Sequence, residues 1–126
     1  MALHCPRVLC YRHNEMLLYT RKRILDREFV VEGCDALAEL TEILSRDPLD
    51  LVLICQSVPD AECEEVIDMV RAASPEVKVL VLQAGHPGSC SMHSDAAMEN
   101  LEGPPALLEE IRGMLGIAAP QSTHLA

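Results

Sequence analysis

The residue best placed to do chemistry in this chain is Cys55. It follows four consecutive apolar residues, Leu51, Val52, Leu53 and Ile54, and precedes a turn signal over 57–60 in the stretch DLVLICQSVPD. An apolar run of that length without polar alternation predicts a strand buried on both faces, as in a parallel sheet covered by helices. In open parallel sheets ligands and chemistry gather at the carboxyl ends of the strands, which is where Cys55 falls. A thiol there can serve as a nucleophile, a redox centre or a soft-metal ligand. A metal would need further ligands, and the irregular stretch 83–95 offers His86, Cys90 and His93. Their separations, three residues between His86 and Cys90 and two between Cys90 and His93, match no strong zinc pattern.

The six cysteines show no Cys-x-x-Cys spacing and no disulfide framework. In a reducing compartment they are expected to be free thiols, most of them acting as small core hydrophobes. Cys10 lies within a strand and reads as core, and Cys34 and Cys63 as packed under helices. His4 and Cys5 start at the opposite end of the first strand from Cys55.

The elements that must position these residues follow from periodicity and punctuation. RVLCY over 7–11 predicts a first strand, and Asn14 a cap for a helix with Leu17, Leu18, Arg21, Ile24 and Leu25 along one stripe, stopping near Arg27. EFVV over 28–31 reads as a second strand broken by Gly33. Asp35 then caps a helix carrying Leu37, Leu40, Ile43 and Leu44, which Asp47-Pro48 ends. Beyond the strand at 51–54, Asp60 is the expected cap of a third helix with Cys63, Val66, Ile67, Val70 and Ala73 on one side, and Ser74-Pro75 its end. VKVLVL over 77–82 predicts a fourth strand. Within 83–95 any helix must be short. A fifth strand is expected over 96–101, then a helix opened by Pro104-Pro105, carrying Leu107, Leu108, Ile111, Met114 and Leu115 and ended by Gly116. Strands alternating with helices imply right-handed crossovers and a doubly wound α/β domain over 1–116, followed by a short tail, 117–126.

The 126 residues suffice for one domain. With 49% hydrophobic residues but no Trp, one Phe and two Tyr, the core has to be aliphatic. Twenty acidic against ten basic residues give a net charge of −10, which repels phosphate backbones and argues against nucleic acid as a partner. No segment reads as a signal peptide or a membrane span, so a cytoplasmic protein without membrane contact is expected.

DLVLICQSVPD is similar to a receiver-type sequence of apolar strand, phosphoacceptor, turn and Met-Pro-Asp. PEVKVLVLQA resembles the fourth strand of the same family, and LEGPPALLEEIRGML its Lys-Pro junction and last helix. On these residues the chain over 7–115 resembles the receiver domain of two-component response regulators. The resemblance implies a flavodoxin-like, five-stranded parallel sheet of order 2-1-3-4-5 with helices on both faces. Receivers use two acids after the first strand to hold Mg²⁺, an Asp after the third as phosphoacceptor, a Ser or Thr after the fourth and a Lys after the fifth. The matching positions are Arg12 and His13, Cys55, Gln83 and Gly103, and every one departs. The aromatic position of the fifth strand falls on Asn100.

Mg²⁺ requires oxygen ligands, so a guanidinium and an imidazole in its place exclude it. A thiolate without metal or lysine has nothing to neutralise the transferring phosphoryl oxygens. The expected role is therefore a phosphorylation-independent, non-enzymatic receiver-like signalling module without a cofactor. It would bind a protein such as a signalling kinase, regulator or output protein, or a second copy of itself. With only the tail after the last helix, it is expected to stand alone. The competing expectation is a thiol-redox or metal sensor: the family's strand order would bring His13 beside Cys55, and Arg12 would favour a thiolate. In a bland alternative Cys55 is inert and Arg12 and His13 are solvated at the rim. Arg21, Lys22, Arg23 and Arg27 concentrate positive charge on the first helix, either as a solvated face or a docking face.

Overall fold

The computed structural model describes residues 5–13, 15–46, 48–83, 89–99 and 103–117, without the side chains of 15, 17, 18, 89 and 91. Among these, strands and helices alternate as β1 (Arg7–Tyr11), α1 (Glu15–Leu25), β2 (Val30–Cys34), α2 (Leu37–Arg46), β3 (Leu51–Ile54), α3 (Asp60–Ala73) and β4 (Lys78–Gln83). A 3-10 segment (Ser89–His93), β5 (Ala96–Glu99) and α4 (Pro104–Leu115) complete the order. The strands form one sheet, β2-β1-β3-β4-β5, with every neighbouring pair parallel, the order that the receiver resemblance implies.

The period of two along each strand divides the core between the faces of the sheet. Leu9, Tyr11, Val52, Ile54, Val79 and Val81 pack with Leu40 and Ile43 of α2 and with Val66, Ile67 and Val70 of α3. Val8, Cys10, Leu51, Leu53, Leu80 and Leu82 pack with Leu25 of α1 and with Leu107 and Ile111 of α4. Burial on both faces is why β3, and β4 over 79–82, are unbroken aliphatic runs.

Several local expectations need correcting. β2 runs over 30–34, not 28–31, and Gly33 lies inside it opposite Cys10. The ladder supplied by β1 carries the edge strand through the glycine, and Phe29, read as strand, is instead buried in the turn after α1. Asp60 is the first residue of α3 rather than its cap: Pro59 holds that position, with no side-chain capping bond, and the acids Asp60 and Glu62 sit in the favourable first turn instead. Asp35 does not cap α2 either, because the Ala36 carbonyl opens the helix by accepting from the Leu40 N–H. Gly116 does close α4, in the left-handed conformation (φ 69°). Asn14, the side chains of Leu17 and Leu18, and the tail from 118 onward lie outside the described residues.

The expectation of free thiols fails for one pair. Cys63 of α3 and Cys90 of the 3-10 segment form a disulfide with a Cα–Cα distance of 5.9 Å, whereas Cys5, Cys10, Cys34 and Cys55 are free. The two bonded residues are buried in the same core layer, 27 positions apart in sequence.

Candidate functional site at the carboxyl edge of the sheet

Cys55 sits directly after β3, where its N–H donates to the Tyr11 carbonyl at 3.0 Å. Its thiol, 1% exposed, points into the α1/α4 layer and lies 3.4 Å from the sulfur of fully buried Cys10. Arg21 of α1 and Arg12, just beyond β1, both place positive charge near this thiol. Arg21 Nη2 also donates to Gln56 Oε1 at 3.4 Å, and Arg12 Nη1 stands 3.7 Å from Asp35 Oδ2. The Nε atoms of both arginines are buried without a hydrogen-bond partner. Arg12, expected to be solvated at the rim, is only 8% exposed. Position 12 continues the alternation of Val8 and Cys10, which sends its side chain into the sheet's α1/α4 side.

This environment separates two like groups. The hydrogen bond from Cys10 lowers the Cys55 pKa below the ordinary thiol value; burial opposes this, and Arg21 and Arg12 reinforce it. Donating that bond, together with burial, raises the Cys10 pKa strongly. Either sulfur can donate in this contact, and the guanidiniums of Arg21 and Arg12 favour the anionic form of both thiols; Cys55 is the one whose pKa is lowered, so the charge is placed on it.

His13 goes elsewhere. It shares the parity of Leu9 and Tyr11 and turns to the α2/α3 side. There its N–H donates to Ser57 Oγ at 2.9 Å, and its Nε2 lies 2.7 Å from Glu62 Oε1. Tyr11 donates its hydroxyl to Glu62 Oε2, and its ring meets the imidazole edge-on at 6.0 Å. The anticipated thiol-imidazole pair is thus replaced by Cys10 with Cys55 on one face and by Tyr11, His13 and Glu62 on the other. Burial works against a charged Glu62, yet the bonds from Tyr11 and His13 prevail and hold its pKa below the ordinary 4.5. A depressed carboxylate stabilises the fold above its unfolded pKa, and that contribution fades as pH falls through the folded value. Glu62→Gln should therefore cost about 1 kcal/mol near neutrality, the difference between a charged and a neutral acceptor. In urea titrations the gap should close as pH drops below about 4.5; a gap that widens there would contradict the assignment.

Gln83 ends β4, and its Nε2 lies 3.4 Å from Glu99 Oε2 while its Oε1 is buried without a partner. Gly103 precedes α4 with φ 92°, a conformation any side chain would strain. It lines a cavity of about 130 Å³ together with Arg21, Leu82, Met98 and Glu99. The metal candidates are not brought together. Cys90 is consumed by the disulfide in the α2/α3 layer. His93 lies towards the start of β4, where Arg71 donates to its carbonyl at 3.3 Å and to that of Val77 at 3.2 Å. His86 and Asn100 are outside the described residues. Among the described residues, no group of three or more His, Cys, Asp or Glu is arranged to hold a metal ion.

Cys10, Arg21, Tyr11 and Glu62 were missed as site residues. The signal for Cys10 was present in strand parity: with β1 and β3 adjacent, positions 10 and 55 fall on one face and position 13 on the other.

No protein-family model matches the sequence, and comparison with curated proteins gives no match. Similarity is found among solved structures. The signal receiver domain of an HD domain-containing protein from Pseudomonas fluorescens Pf-5 has a TM-score of 0.80 at 13% identity, covering 92% of this chain and 90% of that one. A CheY-like response regulator receiver domain protein from Methanospirillum hungatei JF-1 gives 0.79 at 22% identity, over 90% and 95%. A response regulator from Thermotoga maritima gives 0.75 at 20% identity, over 90% and 99%. Element order, strand order and near-complete coverage agree, and the chain has the fold of a response-regulator receiver domain.

Proposed function

We propose that this chain is a receiver-fold signalling module that works without aspartyl phosphorylation and without enzymatic activity, by binding a protein partner. The observation that carries the reading is Arg12, buried where the receiver resemblance calls for a metal-binding acid and facing Cys55 where it calls for the phosphoacceptor. Two guanidiniums at this edge repel Mg²⁺, and the positive φ of Gly103 disfavours the lysine expected there. Phosphoryl transfer depends on that charge arrangement. The partner would be a signalling kinase, a regulator or output protein, or a second copy of the chain. Exposed Met16 and Tyr19 on α1, with Arg23 stacked on the Tyr19 ring at 5.6 Å, offer apolar contact area flanked by charge.

The test is to incubate the full chain with Mg²⁺ and either acetyl phosphate or beryllofluoride, then follow intact mass and amide chemical shifts. No adduct and no shift at residues 55–60 are expected. An adduct on any residue, Asp60 included, would overturn the reading.

A further inference from the structure

We propose that Cys10 and Cys55 form a reversible dithiol–disulfide switch, oxidised by a hydroperoxide, beneath the β3–α3 loop. This goes beyond the phosphorylation-independent reading and does not rest on it. The two sulfurs are already 3.4 Å apart, and no side chain stands between them. Arg21 and Arg12 face the pair, so an anionic Cys55 is compensated in an otherwise aliphatic layer. Cys34, by contrast, donates to the Ala36 carbonyl at 3.2 Å, and burial pushes its pKa up to about 11. Cys5 is exposed and has no second free thiol beside it.

The roles follow from the opposite shifts of the two adjacent thiols, Cys55 lowered and Cys10 raised. The Cys55 thiolate attacks the hydroperoxide; an S–O bond forms, the O–O bond breaks, and the departing hydroxide takes up the proton lost from the thiol. The Cys10 sulfur then attacks the Cys55 sulfenic acid; the S–S bond forms, the S–O bond breaks, and water leaves with the Cys10 proton. With hydrogen peroxide the balance is two thiols and one peroxide giving one disulfide and two waters. Cys55 is buried, but the next two residues, Gln56 and Ser57, are half-buried, so the thiol lies close in sequence to the surface of the loop.

Closure has a structural consequence. Cys10 is in register with Leu53, and Cys55 lies two residues further on, so the α-carbons are not directly opposite. Bringing the sulfurs to about 2.05 Å must draw the start of the β3–α3 loop toward β1. That loop also holds Ser57, the acceptor of the His13 N–H. Oxidation thereby moves the same edge of the sheet at which the receiver resemblance places its phosphoacceptor.

The test uses the full chain exposed to graded hydrogen peroxide, with alkylation of remaining thiols and non-reducing peptide mapping. A Cys10–Cys55 cross-linked peptide is expected, lighter by two hydrogens, restored by dithiothreitol, with Cys63–Cys90 unchanged. Cys10→Ser should lose the cross-link and give a dimedone-trappable sulfenic acid on Cys55. Arg21→Met should slow Cys55 oxidation several-fold while Cys5 oxidises at its former rate. Circular dichroism of each variant checks the fold. Cys55 remaining reduced after exposed Cys5 has been oxidised, or pairing with a cysteine other than Cys10, would overturn the switch. Either result leaves the phosphorylation test unaffected, so the two readings fail separately.

Discussion

Leu53→Ala is expected to lower the unfolding free energy by about 2–5 kcal/mol. Leu53 is fully buried in β3, the central strand, with Cys10 of β1 and Leu80 of β4 in register on either side. Its side chain belongs to the α1/α4 layer with Leu25, Leu107 and Ile111. Truncation removes buried methyl groups and leaves a cavity whose walls are backbone-paired strands, which cannot collapse inward as a loop can. Urea unfolding by circular dichroism gives the result directly, with the slope checked for constancy so that the midpoint shift reads as stability. Val30→Ala on the edge strand, 41% exposed, is the control and should stay within about 0.5 kcal/mol. A loss at Leu53 no larger than that of the control would mean the layer is not packed as described. Leu53 also lies one side-chain step below Cys55 on the same face, so the variant should loosen the thiol pair as well.

The fold was legible because the apolar runs are uninterrupted where both faces of the sheet are covered. LVLI and the VLVL of 79–82 suit no half-exposed strand, and the helices between them announce themselves by period. Legibility failed where a neighbour, rather than local sequence, decides. β2 extends through Gly33 because β1 offers a continuous ladder, a fact invisible in EFVV itself. The 3-10 segment reads as irregular because its anchor is the covalent bond from Cys90 to Cys63 of α3 and not any helical stripe of its own.

The site was legible in its place and not in its pairing. Cys55 at the carboxyl end of β3 follows from the apolar run and the turn. Adjacent strands alone would pair Cys55 with His13, but the two residues lie on opposite faces of the sheet. Alternation sends His13 over Tyr11 toward Glu62, and sends Arg12 over Cys10 toward Cys55. In the sequence Arg21 is one member of a helical stripe. Its meaning depends on α1 crossing the carboxyl edge of β3, a tertiary relation for which the sequence carries no local mark.

Breaking the Cys63–Cys90 bond is the second change expected to have a large effect. The bond closes a loop across 27 positions of sequence, and constraint of the unfolded chain by a loop of that size contributes about 3–4 kcal/mol in the chain-entropy model. Reduction of the native protein isolates this term, since both sulfurs stay in place and the buried volume hardly changes. Reduced protein should therefore unfold at lower urea by that amount. Cys63→Ala/Cys90→Ala should lose at least as much, because it also removes two buried sulfurs, and its midpoint should no longer respond to reductant. The loss should fall first on the 3-10 segment, whose packing on α3 the bond secures, and amide exchange there should rise before exchange in β3 or β1. The Cys10–Cys55 pair lies in the opposite layer of the core, so its peroxide chemistry should persist in the double variant. A midpoint that does not move while two additional thiols become titratable would show that the bond contributes nothing to folding, and that packing alone holds the 3-10 segment on α3.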